Sequence, residues 1–476
     1  MQRFDQKYFE ETVEKAMKAF NTPAVSAAVV AGGKTIYEAG FGVGINADTL
    51  YQIASMSKSM TAAALAQLIE KGLLSWDTRV RDVLPGFQMF DEFASKEMTV
   101  KDLLVHHSGL RSEGAGLLWY GSDYSREAVV RRLRYIRPVT SFRSAYAYQN
   151  VMYLVAGEVL EAVSGETWED YLSKHLFEPL EMTRTVPTLA ASLSMENKAV
   201  PHAIIRGSIR AIPRRDHDNC GPAASVMSTA HDLANYLNLF LGKGTFNGKS
   251  ILSEASVRAL HTAYTMDPNE PGKAFHPRMI TGLPGYGYGW HIQRYAGARL
   301  IYHCGGVDGM RCRMALFPDE DFGVVVLTNY ENRNTYNALT QTVFDNMLGL
   351  EPVDWVSLYA AQPPEEPETI PQQLTGTRPH FALSELSGVY RDSAYGNIIV
   401  QNGVLSFTHS PAFTADLSHY HYDTWKLTWR DPYIPDGLVT FEPGPDGRIA
   451  SIHFTQPSLL DVHFDELDAH IGKTEN

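Results

Sequence analysis

The sequence predicts an α+β protein, an antiparallel sheet flanked by helices and followed by a small antiparallel β-barrel. Three observations carry this expectation. Strand-like segments stand at both edges of the first part of the chain, helical patterning fills the region between them, and short alternating strands with tight turns follow a Pro/Glu-rich stretch near the C-terminus.

The elements follow in order. A helix is expected over Phe4 to Phe20, because Phe9, Val13, Met17 and Phe20 recur on one face. A strand pair follows, Ala24 to Ala31 and Lys34 to Phe41, joined at the hairpin signal Gly32-Gly33. The strand-like segment Thr49 to Ile53 then runs into a helix-forming stretch from Ser55 to Gly72. Leu300 to Tyr302, Arg311 to Phe317 and Phe322 to Asn329 read as further strands, with a turn at Pro318 to Asp321. Two edges of the sequence thus build one sheet around a helical middle.

A composition shift marks a boundary. Gln362 to Glu368 and Pro371 to Gln373 are rich in Pro and Glu, which reads as a linker. The expected organisation is a main α+β domain over 1–360, a linker over 361–379 and a barrel over 380–476. In the last, Gly388 to Tyr390, Asn397 to Val400, Val404 to Phe407, Trp425 to Trp429, Val439 to Phe441 and Ile449 to Phe454 are short alternating strands. Its histidines, among them His409, His419, His421 and His453, lack the paired spacing of metal ligands, so no metal is expected.

Ser55-Met56-Ser57-Lys58 is the most informative stretch. Three residues is close to one helical turn, so Ser55 and Lys58 share a face, where the amine can take a proton from the hydroxyl. A serine hydroxyl needs such a partner to act as a nucleophile. The helix N-terminus adds unpaired N–H groups and a partial positive charge, which favour an oxyanion and a neutral Lys58. About two chance Ser-x-x-Lys matches are expected in a chain of this size. This chain holds one, where a strand-like segment meets a helix.

An acylated serine needs a further proton-transfer group and a strand edge that binds substrate. Tyr148-Gln149-Asn150 and His303-Cys304-Gly305-Gly306 fit those posts. Tyr-x-Asn recurs at Tyr236, Tyr330 and Tyr395, and His-x-Gly at His107, so context chooses. Tyr148 immediately precedes the apolar-periodic segment from Met152 to Val163, and His303 ends a strand-like run before two glycines that admit close backbone approach.

These three motifs, in this order, resemble the serine β-lactamase and penicillin-binding-protein superfamily. The branch is the one holding class C β-lactamases, D-aminopeptidases, family-VIII-type esterases and related acyltransferases. Asp102 to Leu110, Gly221 to Leu233 and Gly287 to Trp290 match family habit too, and the resemblance covers about residues 20 to 345. It implies a β-lactamase/transpeptidase-like sheet with a helical subdomain, and a C-terminal barrel of lipocalin-like type. It implies that Ser55 attacks a carbonyl, that Lys58 and Tyr148 share the proton work, and that the N–H groups of Ser55 and Gly306 form an oxyanion hole. Asn150 would orient substrate and Lys58, and His303, Cys304 and Gly305 would lie on the binding edge, His303 beside Tyr148 or the substrate tail. Tyr148 would protonate the leaving group, its phenol eased by the positive charge of Lys58.

The chain departs from class C β-lactamases at the third motif, which there begins with Lys. A neutral imidazole can donate one hydrogen bond and accept another, where Lys would offer a carboxylate a full charge. This favours esterase, amidase or acyltransferase relatives over β-lactamases. Cys304 reads as a small packed residue rather than a chemical group.

Composition agrees with a soluble enzyme, and the resemblance implies a small-molecule ester, amide or short peptide as substrate. A formal charge of −13 and a pI near 5.7 argue against nucleic acid. The basic runs Arg131 to Arg134 and Arg210 to Arg215 read as solvated faces. Three cysteines form no disulfide framework and suit a reducing compartment. The charged stretch Met1 to Tyr8 lacks the apolar core of a signal peptide, and no apolar run reaches the roughly eighteen residues of a membrane span, so a cytoplasmic location without membrane partners is expected. No organic cofactor is implied. Two rivals stay open, an acyltransferase using the same nucleophile with water excluded and a non-catalytic binding protein of the same fold. A homo-oligomer is compatible with either.

Overall fold

The computed structural model describes residues 4–268, 274–279, 282–363, 368–457 and 459–471. These divide into two compact units, one of residues 1–85, 96–109 and 140–363, the other of residues 86–95, 110–139 and 364–476.

In the first unit the amphipathic helix α1 (Gln6–Ala19) buries Phe9, Val13 and Ala16, and Asp5 caps it by accepting from the Tyr8 N–H. The chain then enters the hairpin β1 (Val25–Ala31) and β2 (Lys34–Phe41), whose turn places both Gly32 and Gly33 at positive φ. The remaining sheet strands come late: β3 (Thr265–Met266), β4 (Gly285–Tyr286), β5 (His291–Tyr295), β6 (Ala298–Val307), β7 (Met310–Phe317) and β8 (Phe322–Thr328). They form one eight-stranded sheet in the order β2-β1-β8-β7-β6-β5-β4-β3, antiparallel throughout, so the two ends of the unit meet where β1 pairs with β8. Strand β6 runs beyond the expected Tyr302, carrying His303 to Gly306 within it.

Every residue of β1 is buried, since helices cover both faces of the sheet. One face packs against α1 and a C-terminal helix, Arg333–Met347, through Phe9, Val29, Phe317, Val324 and Phe344. Toward the other lie the helix Ala230–Leu241 and α2 (Ser57–Glu70), in which every residue from Ser57 to Leu68 is buried. A helix buried all round has no use for a polar face, and Ala62 to Ala64 let neighbours close in. The helix after Tyr148, α3 (Val151–Ser164), ends at Gly165 in the left-handed conformation.

In the second unit eight strands from Gly388–Asp392 to Ala469–Ile471 close into an antiparallel barrel, filled by Phe407, Phe413, Trp429, Phe454 and Phe464. Strand Ser410–His421 was not foreseen: Pro411 and its polar, His-rich alternation mask it. Residues 110–139 belong to the same unit and pack onto the barrel. Tyr120 stacks on Phe413, Tyr124 on His409 at 4.2 Å, and Arg111 grips Asp465 with two bonds of 2.8 and 2.7 Å. Arg132, expected on a solvated face, lies 4.3 Å over the Tyr124 ring and donates to the Ala394 carbonyl. No helix of the described residues is long and apolar enough to cross a membrane.

Candidate active site

The short strand Tyr51–Gln52, paired with Met227–Ser228, delivers the chain to a single 3-10 turn, Ala54–Met56, from which α2 continues. Ala54 holds a φ of +50°, a left-handed conformation costing an alanine about 1–2 kcal/mol. That strained residue presents Ser55, half-exposed at the mouth of an otherwise buried helix. The turn is pinned by Ser57 Oγ donating to the Ala54 carbonyl (2.7 Å) and accepting from the Val226 N–H (3.2 Å).

Lys58 is fully buried. Its Nζ donates to Ser55 Oγ at 3.1 Å, to Asn150 Oδ1 at 2.6 Å and to the Ala223 carbonyl at 3.1 Å, and lies 4.7 Å from the centre of the Tyr148 ring. The structure therefore brings four of the sequence-derived candidates together: Ser55, Lys58, Tyr148 and Asn150. Asn150 reaches Lys58 because it begins α3, two residues beyond Tyr148. The Ala223 carbonyl reaches it because α3 carries Gly157, where a Cβ would stand 2.3 Å from Pro222 Cγ. Of the other Tyr-x-Asn matches, Tyr236 donates to Ser59 Oγ from a wholly buried position, Tyr395 donates to Glu466 in the barrel unit, and Tyr330 sits in a bridge with His202.

Strand β6 supplies an edge. Its ladder with β5 stops at Tyr302 opposite His291, and it continues to Val307 paired only with β7 among the described strands. Gly305 lets it approach the serine turn, because a Cβ there would lie 2.1 Å from the Ile53 carbonyl oxygen. Gly306 is next in the strand. Cys304 alternates to the opposite face, where it packs on the core that Leu300 and Tyr302 share.

His303 lies on the site's side but meets protein rather than open space. Its Nδ1 is 2.6 Å from the Cys304 carbonyl and so carries the proton, which leaves Nε2 to accept from the Tyr286 hydroxyl at 2.9 Å. Burial, then the neighbouring His291 and the Lys58 charge, push its pKa well below the ordinary value, so the ring is neutral. Tyr286 in turn packs on His106 at 4.4 Å, and His106 on Tyr148 at 4.3 Å, so a row of rings links His303 to Tyr148.

His106 and Tyr286 are members of the site that motif reading did not single out. The only signal was that Asp102 to Leu110 and Gly287 to Trp290 stood out as segments. The latter turns out to brace α2, since a Cβ at Gly289 (φ +78°) would meet Ser59 Cα at 2.7 Å. Near the same strand edge Arg215, expected on a solvated face, is nearly buried and donates to the buried Asp308 at 2.5 Å.

Comparison with known proteins identifies the family. The Beta-lactamase family matches residues 9–343, and a domain of unknown function (DUF3471) matches residues 372–471. The unguisins hydrolase of Aspergillus campestris is 27% identical over 376 residues, 74% of this chain and 67% of that protein. Penicillin-binding protein 4 of Amycolatopsis lactamdurans is 26% identical over 387 residues, 77% of this chain and 95% of its own length. Among solved structures, the octameric penicillin-binding protein homologue from Pyrococcus abyssi superposes with a TM-score of 0.64 at 22% identity, covering 95% of this chain and 98% of that one. The chain belongs to the β-lactamase family of serine hydrolases, in the superfamily that also holds the penicillin-binding proteins.

Proposed function

We propose that this protein cleaves an ester or amide of a small molecule or short peptide through an acyl-enzyme on Ser55. The observation that carries the reading is the amine of Lys58 at 3.1 Å from Ser55 Oγ, with Asn150 Oδ1 and the Ala223 carbonyl as its other acceptors. In this scheme Lys58 first gives up a proton to become the free amine, keeps its two N–H bonds to Asn150 and Ala223, and accepts the Ser55 proton on its lone pair while Oγ bonds to the substrate carbonyl carbon. The carbonyl oxygen becomes an oxyanion facing the N–H groups of Ser55 and Gly306. Tyr148 gives a proton to the departing oxygen or nitrogen as that bond breaks. It then takes one from the incoming water, whose oxygen bonds to the acyl carbon as the bond to Oγ breaks, and Lys58 returns its proton to Oγ to restore Ser55. Asn150 holds the amine in place, and His303 with Gly305 shapes the edge along which the acyl group lies. The hydrolase and penicillin-binding relatives support hydrolysis over transfer to an alcohol, and the octameric relative supports a homo-oligomer.

A fluorophosphonate probe tests this directly. It should label the protein at Ser55, and Ser55→Ala should abolish both labelling and p-nitrophenyl ester turnover. Label mapped to another residue, or undiminished in Ser55→Ala, would overturn the assignment.

A further inference from the structure

His106 stands at a positive φ of 60° in the segment that leads away from the helix Val100–Leu104, and its side chain is wholly buried. Two hydrogen bonds join it to the loop on which Tyr148 sits. The His106 carbonyl accepts from the Ala147 N–H at 2.7 Å, and His106 Nδ1 accepts from the Gln149 N–H at 3.0 Å. These two residues flank Tyr148. Between the two bonds the imidazole packs on the phenol, ring centres 4.3 Å apart and planes tilted by 41°. Tyr286 at 4.4 Å and Tyr153 at 5.6 Å also pack on the imidazole.

We propose that His106 is a positioning residue for Tyr148, fixing the phenol beside Lys58 by holding the backbone on both sides of it and packing against its ring. This rests on the reading of Tyr148 as the proton-transfer group. Tyr148 is half-exposed on a loop, where an unsupported side chain has several rotamers open to it. Proton transfer demands one of them, within about 3 Å of the reacting atom. The clamp works only with a neutral imidazole, because an Nδ1 that accepts from Gln149 cannot carry a proton. Burial and the Lys58 charge keep the ring in that state. Its remaining proton is then on Nε2, which has no hydrogen-bond partner among the described residues. A ring kept at the cost of an unsatisfied donor is one whose place is set by packing and by Nδ1.

His106→Asn separates the roles. Asn tolerates the left-handed backbone and sets its amide oxygen where Nδ1 stood, but removes the ring from Tyr148. Expected is a folded protein whose phosphonate labelling rate at Ser55 and KM for a p-nitrophenyl ester each change by less than about threefold, while kcat falls about 10- to 100-fold, the loss that misplacing a reacting group by an ångström brings. In a Tyr148→Phe background the same substitution should change kcat by less than about twofold, because there is no phenol left to position. An equal loss in both backgrounds, or native kcat in His106→Asn, overturns the proposal. Native kcat in Tyr148→Phe alone instead overturns the assignment of Tyr148. His106→Phe, which keeps a ring and loses the acceptor, is the second variant and should show the same dependence on Tyr148. If neither folds, His106 serves folding and the proposal is overturned.

Discussion

Gly305 passes so close to Ile53 that a methyl group on it would stand 2.1 Å from the Ile53 carbonyl oxygen and 2.5 Å from Cys312 Sγ. The serine turn and strand β6 are thus held in contact by the absence of one side chain. Cys312 Sγ–H donates to the same carbonyl at 3.3 Å, and burial pushes its thiol pKa up, so it stays protonated as a donor. Gly305→Ala should therefore destabilise the protein by about 1–3 kcal/mol, the range for overpacking a filled core. Turnover should drop by about 10² as the edge shifts from Ser55. Gly86→Ala, with nothing within 4 Å of the added carbon, is the control. Thermal unfolding and ester turnover measure both, and a native-like Gly305→Ala would refute the contact.

In the proposed mechanism Lys58 and Tyr148 lie on the route of the proton, and Tyr236 does not. Lys58→Ala and Tyr148→Phe should each lower kcat by about 10² or more while the protein stays folded. Tyr236→Phe loses one hydrogen bond, to Ser59 Oγ, and should cost about 1 kcal/mol of stability with turnover within about threefold of native. Steady-state kinetics on the three variants decides which Tyr-x-Asn is chemical. A Tyr236→Phe enzyme crippled beside a healthy Tyr148→Phe reverses the choice.

What was legible in the sequence was local. Ser55 and Lys58 meet because three residues make nearly a turn, and Asn150 follows Tyr148 because both stand at the entrance of one helix. The hairpin at Gly32-Gly33 and most barrel strands declared themselves by turn chemistry and alternation. What escaped was made by packing between distant segments. Any carbonyl could have been the third acceptor of Lys58; Ala223 is chosen by the fit of Pro222 against Gly157. The pattern around His303 showed an imidazole able to give and take a hydrogen bond, but Tyr286 and the Cys304 carbonyl consume both of its nitrogens. Charge density likewise hid Arg215, which reads as a surface residue until Asp308 is seen beneath it.

Three histidines of the first unit, His106, His261 and His303, are buried and held neutral, with burial the largest cause in each and His261 pushed to about 3. The unfolded chain takes up a proton at each near pH 6.5, whereas the folded one does so only at much lower pH. The stability they support is thus complete above about pH 6.5 and lost as pH falls below it, at about 1.4 kcal/mol per pH unit for each. His231 opposes this: although burial lowers its value, Glu38 raises it, and its half-exposed pair is screened. Urea unfolding at pH 7 and pH 5.5 should show a fall of up to about 4 kcal/mol for the three together. His261→Phe, placed among Phe240 and Trp290, should remove about a third of the slope. Stability unchanged between these pH values would mean that the buried rings protonate without cost.

The imidazole of His303 also predicts selectivity. A lysine at this place would offer a substrate carboxylate a charge-assisted bond of about 1.5–3 kcal/mol, or one to two decades in rate. A neutral ring already bonded to Tyr286 and Cys304 offers none of it. Short-chain p-nitrophenyl esters should be cleaved measurably and chromogenic cephalosporins, which carry a carboxylate, poorly. Because the ring's pKa is driven well below 6.5, the ratio of kcat/KM for the two substrates should stay flat from pH 8 to pH 6. A protonating His303 would instead favour the cephalosporin as pH falls. His303→Lys should shift the ratio towards the cephalosporin by up to about tenfold. It should also lower thermal stability, since the new ammonium would stand where the Tyr286 hydroxyl now bonds, with no carboxylate until substrate arrives. A wild-type enzyme that prefers the cephalosporin, or a ratio that climbs towards it with an apparent pKa near 6.5, would show that His303 meets the substrate as a cation and that the site is built for a carboxylate after all.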